Sequence, residues 1–206
     1  MSVPWPPEVE LVGRHARLVP LAATHATSLS AAVKDGELWK LWFTAVPAPD
    51  DMVSDIERRL ALRAAGSSLP FAVVDQITDE AVGMTSYLNI DAINRRLEIG
   101  STWYRRCAQR TAINTECKRL LLGHAFEDLA CIAVEFRTHF SNSESRRAIE
   151  RLGAKMDGIL RSHTRMRDGS LRDTCVYSIL AAEWPTVRGN LDARLERGST
   201  PSPTPP

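Results

Sequence analysis

The chain lacks the features that place a protein quickly in several broad classes. Its four cysteines, Cys107, Cys117, Cys131 and Cys175, form no CxxC pair and no zinc spacing. A disulfide framework and a zinc module are therefore not indicated, and free thiols in a reducing compartment are expected. No group of His, Asp and Glu has metal-ligand spacing either, so no metal is expected. No apolar run approaches the length of a membrane span, and the start, MSVPWPPEVE, has no signal-peptide core. These two absences point to a cytoplasmic protein without a membrane partner. A net charge of +1 supplies no field for nucleic acid or an anionic surface. Internal repeats are absent.

What is present is an ordinary globular composition, with 206 residues, 44% apolar and 25% charged, enough for one domain with a full core. Residues 1–8 read as a flexible arm, 9–197 as a single domain, and 198–206, GSTPSPTPP, as a disordered tail. The first strand is expected at Ala16 to Val19. A helix capped by Thr24 runs to about Lys34, with Ala26, Leu29 and Val33 as its stripe. The aromatic segment Trp39 to Phe43 fits a short helix or a loop wall. Asp50 or Asp51 then caps a helix reaching Gly66. Strands at Leu69 to Val74, Ala81 to Ile90 and Leu97 to Tyr104, joined by short connections, predict an antiparallel meander.

The rest of the chain is organised around Glu98 to Glu127. In its strand, Leu97, Ile99, Ser101 and Trp103 share one face, and Glu98, Gly100, Thr102 and Tyr104 the other. A polar loop with three arginines, Arg105 to Thr111, leads into a helix. Ile113, Cys117, Leu120, Leu121 and His124 form one stripe of that helix, with Leu122, Phe126 and Leu129 beside it. Strand, basic loop and buried helix make an anion site, because unpaired N–H groups and the positive helix end face the loop. The same turn is equally a plain strand-to-helix connection. A strand from Cys131 to Thr138 follows and, after a helical crossover, should run parallel to the Leu97–Tyr104 strand. A helix beginning near Asn142 ends at Gly153. A hairpin of Lys155 to Arg167 and Leu171 to Leu180 turns at Asp168-Gly169, and a last helix runs from Trp184 to about Arg197.

The loop, Gln109-Arg110-Thr111-Ala112-Ile113-Asn114, resembles the acyl-coenzyme A pattern Gln/Arg-x-x-Gly-x-Gly/Ala of the GNAT acetyltransferases, with both glycine positions substituted. Glu98-Ile99-Gly100, Asn114-Thr115-Glu116, Asn142-x-x-Ser145, Arg151-Leu152-Gly153-Ala154 and Arg172 to Leu180 resemble the branch that includes the ribosomal-protein N-terminal acetyltransferases. The likeness covers about residues 10–185. It implies an α/β (α+β) GNAT fold, with a mixed, mostly antiparallel sheet splayed at two central parallel strands and flanked by helices. It implies an N-acetyltransferase moving acetyl from acetyl-CoA to a primary amine, by direct transfer in a ternary complex. The partners are then an acyl-CoA and an amine acceptor, with no nucleic acid, and the state is monomer or homodimer. A silent acyl-CoA-binding sensor or interaction module on the same fold is the alternative.

By that resemblance, backbone N–H groups along Gln109, Arg110, Thr111, Ala112, Ile113, Asn114 and Thr115 grip the pyrophosphate. Asn114 would also cap the helix, and Ala112 admits a phosphate if its φ is negative. Trp103, Tyr104 and Arg105 supply the edge that pairs with pantetheine, one N–H holding the acyl oxygen. Asn142 binds the cofactor arm and Ser145 is the general acid; read as local structure, Asn142 or Ser143 is a helix cap and Ser145 a first-turn residue. Glu98, on the polar row of its strand, is the first candidate base. His163 is the second and His139 the third, and an amine with a pKa near 8 needs none at high pH. His124 reads as a packed core histidine, and Cys107 as a bystander rather than an acyl-cysteine nucleophile.

Overall fold

Apolar runs in the middle of the chain build a sheet that helices cover on both faces. The computed structural model describes residues 5–42, 44–166 and 168–198. Phe43 and Arg167, and the expected arm and tail at 1–4 and 199–206, lie outside the described residues. The elements are β1 (Leu11–Val12), β2 (Ala16–Pro20), α1 (Ala26–Lys34), α2 (Met52–Ala64), β3 (Ser68–Asp75), β4 (Ala81–Asp91) and β5 (Arg96–Tyr104). They continue with α3 (Ala112–Gly123), β6 (Ala133–His139), α4 (Ser143–Leu152), β7 (Lys155–Arg165), β8 (Leu171–Leu180) and α5 (Trp184–Gly198). One eight-stranded sheet runs in the order β1-β2-β3-β4-β5-β6-β8-β7. All its pairs are antiparallel except β5 with β6.

The helices divide the core in two. Ile113, Cys117, Leu121 and Leu122 of α3 and Trp184, Val187 and Leu191 of α5 pack with Phe71, Tyr87, Leu97, Phe136 and Tyr177 on one face. On the other face Leu29 and Val33 of α1 and Met52 and Ile56 of α2 close over Ala72, Met84 and Trp103. The helices α1 and α2 pack mainly over β4 and β3, with Trp103 of β5 beneath them, and Trp42 lies against His139 on the β6 side of that second face.

A bulge decides which side chains of β5 reach which core. Met84 pairs with Trp103 but Ser86 pairs with Gly100, so three residues of β5 oppose two of β4. Ser101 absorbs the extra residue at φ 49°, and alternation reverses beyond it. Leu97 and Ile99 enter the larger core, whereas Trp103 enters the one under α1 and α2. The expected common row of Leu97, Ile99, Ser101 and Trp103 is therefore broken at Ser101.

Several local expectations are also corrected. The two-residue β1 is an extra edge strand, too short for an alternating pattern to reveal. Thr24 lies inside a 3₁₀ turn, Ala23–His25, where the His25 ring nitrogen Nδ1 accepts the Ala22 N–H at 3.0 Å. Thr111, not Asn114, caps α3 by accepting the Ile113 N–H at 3.3 Å. In the described part of the expected arm, Trp5 packs on the larger core under Arg95, and Glu8 pairs with Arg63 at 3.2 Å.

One buried carboxylate ties the N-terminus to the middle of the fold. Glu116 of α3 is 6% exposed and accepts the N–H groups of Arg14, His15 and Ala16 at 2.9, 2.6 and 2.7 Å. These are the donors of the β1–β2 turn, so the side chain replaces water for three backbone groups. A methyl group at Gly13 would meet its carboxyl carbon at 2.4 Å, so the turn must be bare there. Replacing Glu116 with Ala is expected to lower unfolding stability by about 3 kcal/mol, since charge-assisted bonds are lost and buried donors left open. Urea denaturation measures this, and a loss below about 1 kcal/mol would show that water satisfies the turn equally well.

Candidate active site

The two central strands part. β5 and β6 pair only at Arg96 with Ala133, Leu97 with Val134 and Glu98 with Glu135. Beyond Glu98, β5 stays with β4, and β6 stays with β8 as far as His139 opposite Thr174. Between them the edges of residues 100–104 and 136–139 face each other without pairing. At the far end of β5 the Arg105 N–H donates to Val82 O at 2.8 Å, and Tyr104 O accepts from Gln109 Nε2 at 2.9 Å. Antiparallel alternation then turns the Tyr104 N–H toward the open edge. Of the three residues expected to supply this edge, Arg105 is committed to β4, and its guanidinium lies 3.6 Å from Asp35 and 3.4 Å from Glu80.

Glu98 sits where the strands separate. It is 6% exposed, with Oε2 accepting from Asn89 Nδ2 at 2.6 Å and 3.5 Å from Arg137 Nε. A methyl group at Gly100 would stand 2.7 Å from Oε1, so Gly100 is the residue that leaves room for this carboxylate. Burial raises the Glu98 pKa above the ordinary carboxylate value, against the opposing pull of Arg137 and Asn89. A carboxyl group so held is a stronger base than an exposed one.

The same face carries the other candidates. His139 is buried, lies edge-on to the Trp42 ring at 5.0 Å, and accepts the Ser141 N–H on Nδ1 at 3.0 Å. A neutral His139 bonded in this way holds its proton on Nε2, and so offers no free basic nitrogen. His163 is exposed on the outer strand β7, with Nδ1 3.2 Å from Thr174 Oγ1. Sequence reasoning gave no role to Arg137, Asn89 or Arg172, which surround Glu98; charged residues on strands carry no pattern that separates a site from a solvated face.

On the other face, the loop and α4 form a cleft of about 450 Å³ lined by Gln109, Arg110, Glu144, Ser145, Arg147, Ala148 and Arg151. The left-handed residue of the loop is Arg110, at φ 61°. Ala112 begins α3 in right-handed geometry. Neither Ala112 nor Asn114, at the substituted glycine positions, has a positive φ. Ile113, Asn114 and Thr115 follow within the first turn. The Gln109 N–H is used internally, donating to Arg106 O at 3.1 Å. Asn142 caps α4, its Oδ1 accepting the Ser145 N–H at 3.0 Å, and Ser145 lines the cleft. Cys107 is exposed and its N–H donates to Asp35 at 3.0 Å. His124 is a core residue, 3.2 Å from the Tyr87 hydroxyl and stacked on its ring. Among the described residues no cluster has the make-up of a metal site.

An acetyltransferase (GNAT) domain model matches residues 15–155. The chain belongs to the GNAT acetyltransferase family. It is 34% identical over 102 residues to YdaF of Bacillus subtilis (strain 168), provisionally named a ribosomal N-acetyltransferase. That match spans 50% of this chain and 55% of YdaF, about half the relative's length. A GCN5-related N-acetyltransferase from Brucella melitensis superposes with a TM-score of 0.83 at 30% identity, over 96% of this chain and 90% of that one. The microcin C7 self-immunity acetyltransferase MccE, solved with acetyl-CoA and AMP, shares the fold (TM-score 0.71, 20% identity, 82% of this chain and 93% of MccE).

Within this GNAT domain the bulge of β5 rests on a buried lysine. Lys118 of α3 is 7% exposed and donates through Nζ to Thr102 Oγ1 at 2.9 Å, which in turn lies 2.8 Å from Thr85 Oγ1. Among the described residues no carboxylate pairs with it, and burial lowers its pKa to about 8. The unfolded chain, with an ordinary lysine near 10.5, binds more protons between these values. The burial penalty is therefore complete below about pH 8 and absent above about 10.5. Lys118→Met should be the more stable protein at pH 7, with an advantage that shrinks by roughly 3 kcal/mol by pH 10.5. Paired urea titrations across that range test this; a difference independent of pH would show that folding leaves the lysine pKa at its ordinary value and that burial does not penalise its charge.

Proposed function

We propose that this GNAT domain transfers an acetyl group from acetyl-CoA directly to a primary amine within a ternary complex. The observation that carries the reading is the parting of β5 and β6 between a cationic cleft on one face and the Glu98 row on the other. The chemistry of the cleft suits acetyl-CoA. Arg110, Arg147 and Arg151 and the start of α3 favour a polyphosphate, with Glu144, 4.0 Å from Arg110, as the one opposing charge. Acetyl-CoA, when bound, supplies an acetyl thioester whose thiol, with a pKa of about 8.5, is already a fair leaving group.

The chain's own residues then have separable tasks. The open edge of β5 offers backbone groups to an amide-bearing arm as an added strand would. The Tyr104 N–H is the donor placed to hold the acyl oxygen. Ser145 supplies a proton to the departing thiolate. Glu98, kept basic by burial, takes the proton of the amine, through water where the acceptor stops short of it. His163, exposed on the outer strand, serves less well in that role. Among the described residues no histidine stands beside Cys107 to activate its thiol, which favours direct transfer over an acyl-cysteine route.

The activity itself is tested by thiol release from acetyl-CoA over a panel of amines; an acyl-CoA sensor would release nothing above the buffer rate. Ser145→Ala is expected to lower kcat by roughly 10- to 100-fold with acetyl-CoA affinity nearly unchanged. A normal kcat, with chemistry rate-limiting, would leave Ser145 a first-turn residue only. Because Glu98 titrates above the ordinary carboxylate value, wild-type kcat/KM should rise through an acid limb displaced upward. Glu98→Gln should remove that limb and depress kcat/KM below about pH 8, mattering less as the amine loses its own proton. Finding the limb intact in Glu98→Gln and lost in His163→Ala would transfer the role.

A further inference from the structure

We propose that Arg172 is the anion-recognition residue of the acceptor site, and that the acceptor carries a carboxylate or phosphate group close to its amine. The inference rests on the transferase reading for the identity of the site, but its observation is independent. Buried and half-buried arginines elsewhere in the fold have partners. Arg59 holds Asp55, Arg96 holds Glu135, Arg105 lies between Asp35 and Glu80, Arg119 holds Asp192, and Arg146 holds the Tyr177 hydroxyl. Arg172 is half-buried, makes no hydrogen bond or ion pair among the described residues, and its Nε is closed to solvent without a partner.

Its place on β8 makes that unpaired Nε informative. Arg172 shares a strand face with Thr174, which pairs with His139 of β6, away from the main packing of α1 and α2 on β4 and β3. Its charge acts on both Glu98 and His139, so it stands near the base and near the wall formed by Trp42 and His139. Glu98 does not neutralise it. Oε2 of that carboxylate is turned to Asn89 and Arg137, and no contact within 4 Å joins Glu98 to Arg172. The Asp173 carboxylate next to it is taken by Arg161 at 2.6 Å and by the Ser162 N–H at 2.7 Å. Burial lowers the Arg172 pKa against the opposing pull of Glu98; the cation is partly stripped of water, with no carboxylate in direct contact among the described residues. A planar guanidinium in this state is matched by a carboxylate or phosphate oxygen pair. An acceptor whose amine is directed at Glu98 could present such a group to Arg172, whose charge reaches Glu98. A neutral acceptor would leave the cation unpaired, so the site would discriminate against it.

The test uses matched acceptors with acetyl-CoA: α-amino acids against their amides, and O-phosphoethanolamine against ethanolamine. In wild type the acidic member should have a kcat/KM about tenfold or more higher, mainly through KM, and Arg172→Gln should reduce the ratio below about threefold. Arg172→Lys should restore part of it. The two pairs separate carboxylate from phosphate recognition. Arg172→Gln should bind acetyl-CoA as wild type does and melt no lower, whereas an arginine with a structural role would lose stability. Equal rates on acidic and neutral members, or discrimination that survives Arg172→Gln, would overturn the proposal. If no amine is turned over, calorimetry of N-acetylated amino acids and their amides with the coenzyme A-bound protein decides. Binding of the acids alone, lost in Arg172→Gln, upholds the anion site while the transferase reading falls. Equal or absent binding overturns the anion site as well.

Discussion

A strand has two edges, and the central constraint of this fold is that β5 is fully paired on only one of them. β4 holds it along its length, with a bulge at Ser101, while β6 releases it after three residue pairs. Unpaired backbone groups inside a sheet are costly unless something replaces the missing neighbour. The gap therefore has the chemistry of a receptor for an extended, amide-bearing chain. The helices that would otherwise cover it stop short on one face, and on the other a loop and the start of α4 border it. The Glu98 row, the basic cleft and the caps of α3 and α4 all lie along this one discontinuity.

Charge is distributed unequally about the gap. On the cleft side the arginines are exposed and cheap to hold, and they favour a solvated polyphosphate. On the Glu98 side the charges are removed from water and must be balanced pair by pair. Arg96, Glu135, Arg137 and Glu98 form a chain of alternating sign across β5 and β6. This chain fixes the carboxylate while burial keeps it basic. Under the proposed reaction the arrangement separates two jobs that would interfere with each other, holding a highly charged nucleotide and tuning a single proton.

Much of the architecture was legible because strands and helices announce themselves by period. The meander, the parallel crossover pair, the Asp168-Gly169 hairpin and the buried stripe of α3 all follow from apolar spacing and turn residues. The departures arise where one residue outweighs a pattern. Ser101 flips the row of β5, and no local rule marks a serine as the site of a bulge. Thr111 rather than Asn114 caps α3 because the helix starts at Ala112, three residues earlier than a cap at Asn114 would place it. Of the candidate bases, Glu98 and His163 look alike as polar residues on strands, and only the sheet order places one at the parting and the other on the outer strand. Lys118 and Arg172 were invisible as features, since a buried charge is defined by what surrounds it.

The Glu116 clamp joins residues up to 102 positions apart, and this has a consequence for the order of assembly. Closing a loop of that length costs on the order of 4 kcal/mol in chain entropy before any contact compensates it. The β1–β2 turn therefore has no acceptor for its three N–H groups until α3 is formed and docked. During synthesis, more than half of the chain must leave the ribosome before that acceptor exists. The N-terminal hairpin, first to be made, is thus completed late in folding, and its strands wait on a side chain of α3, a helix made only after β5.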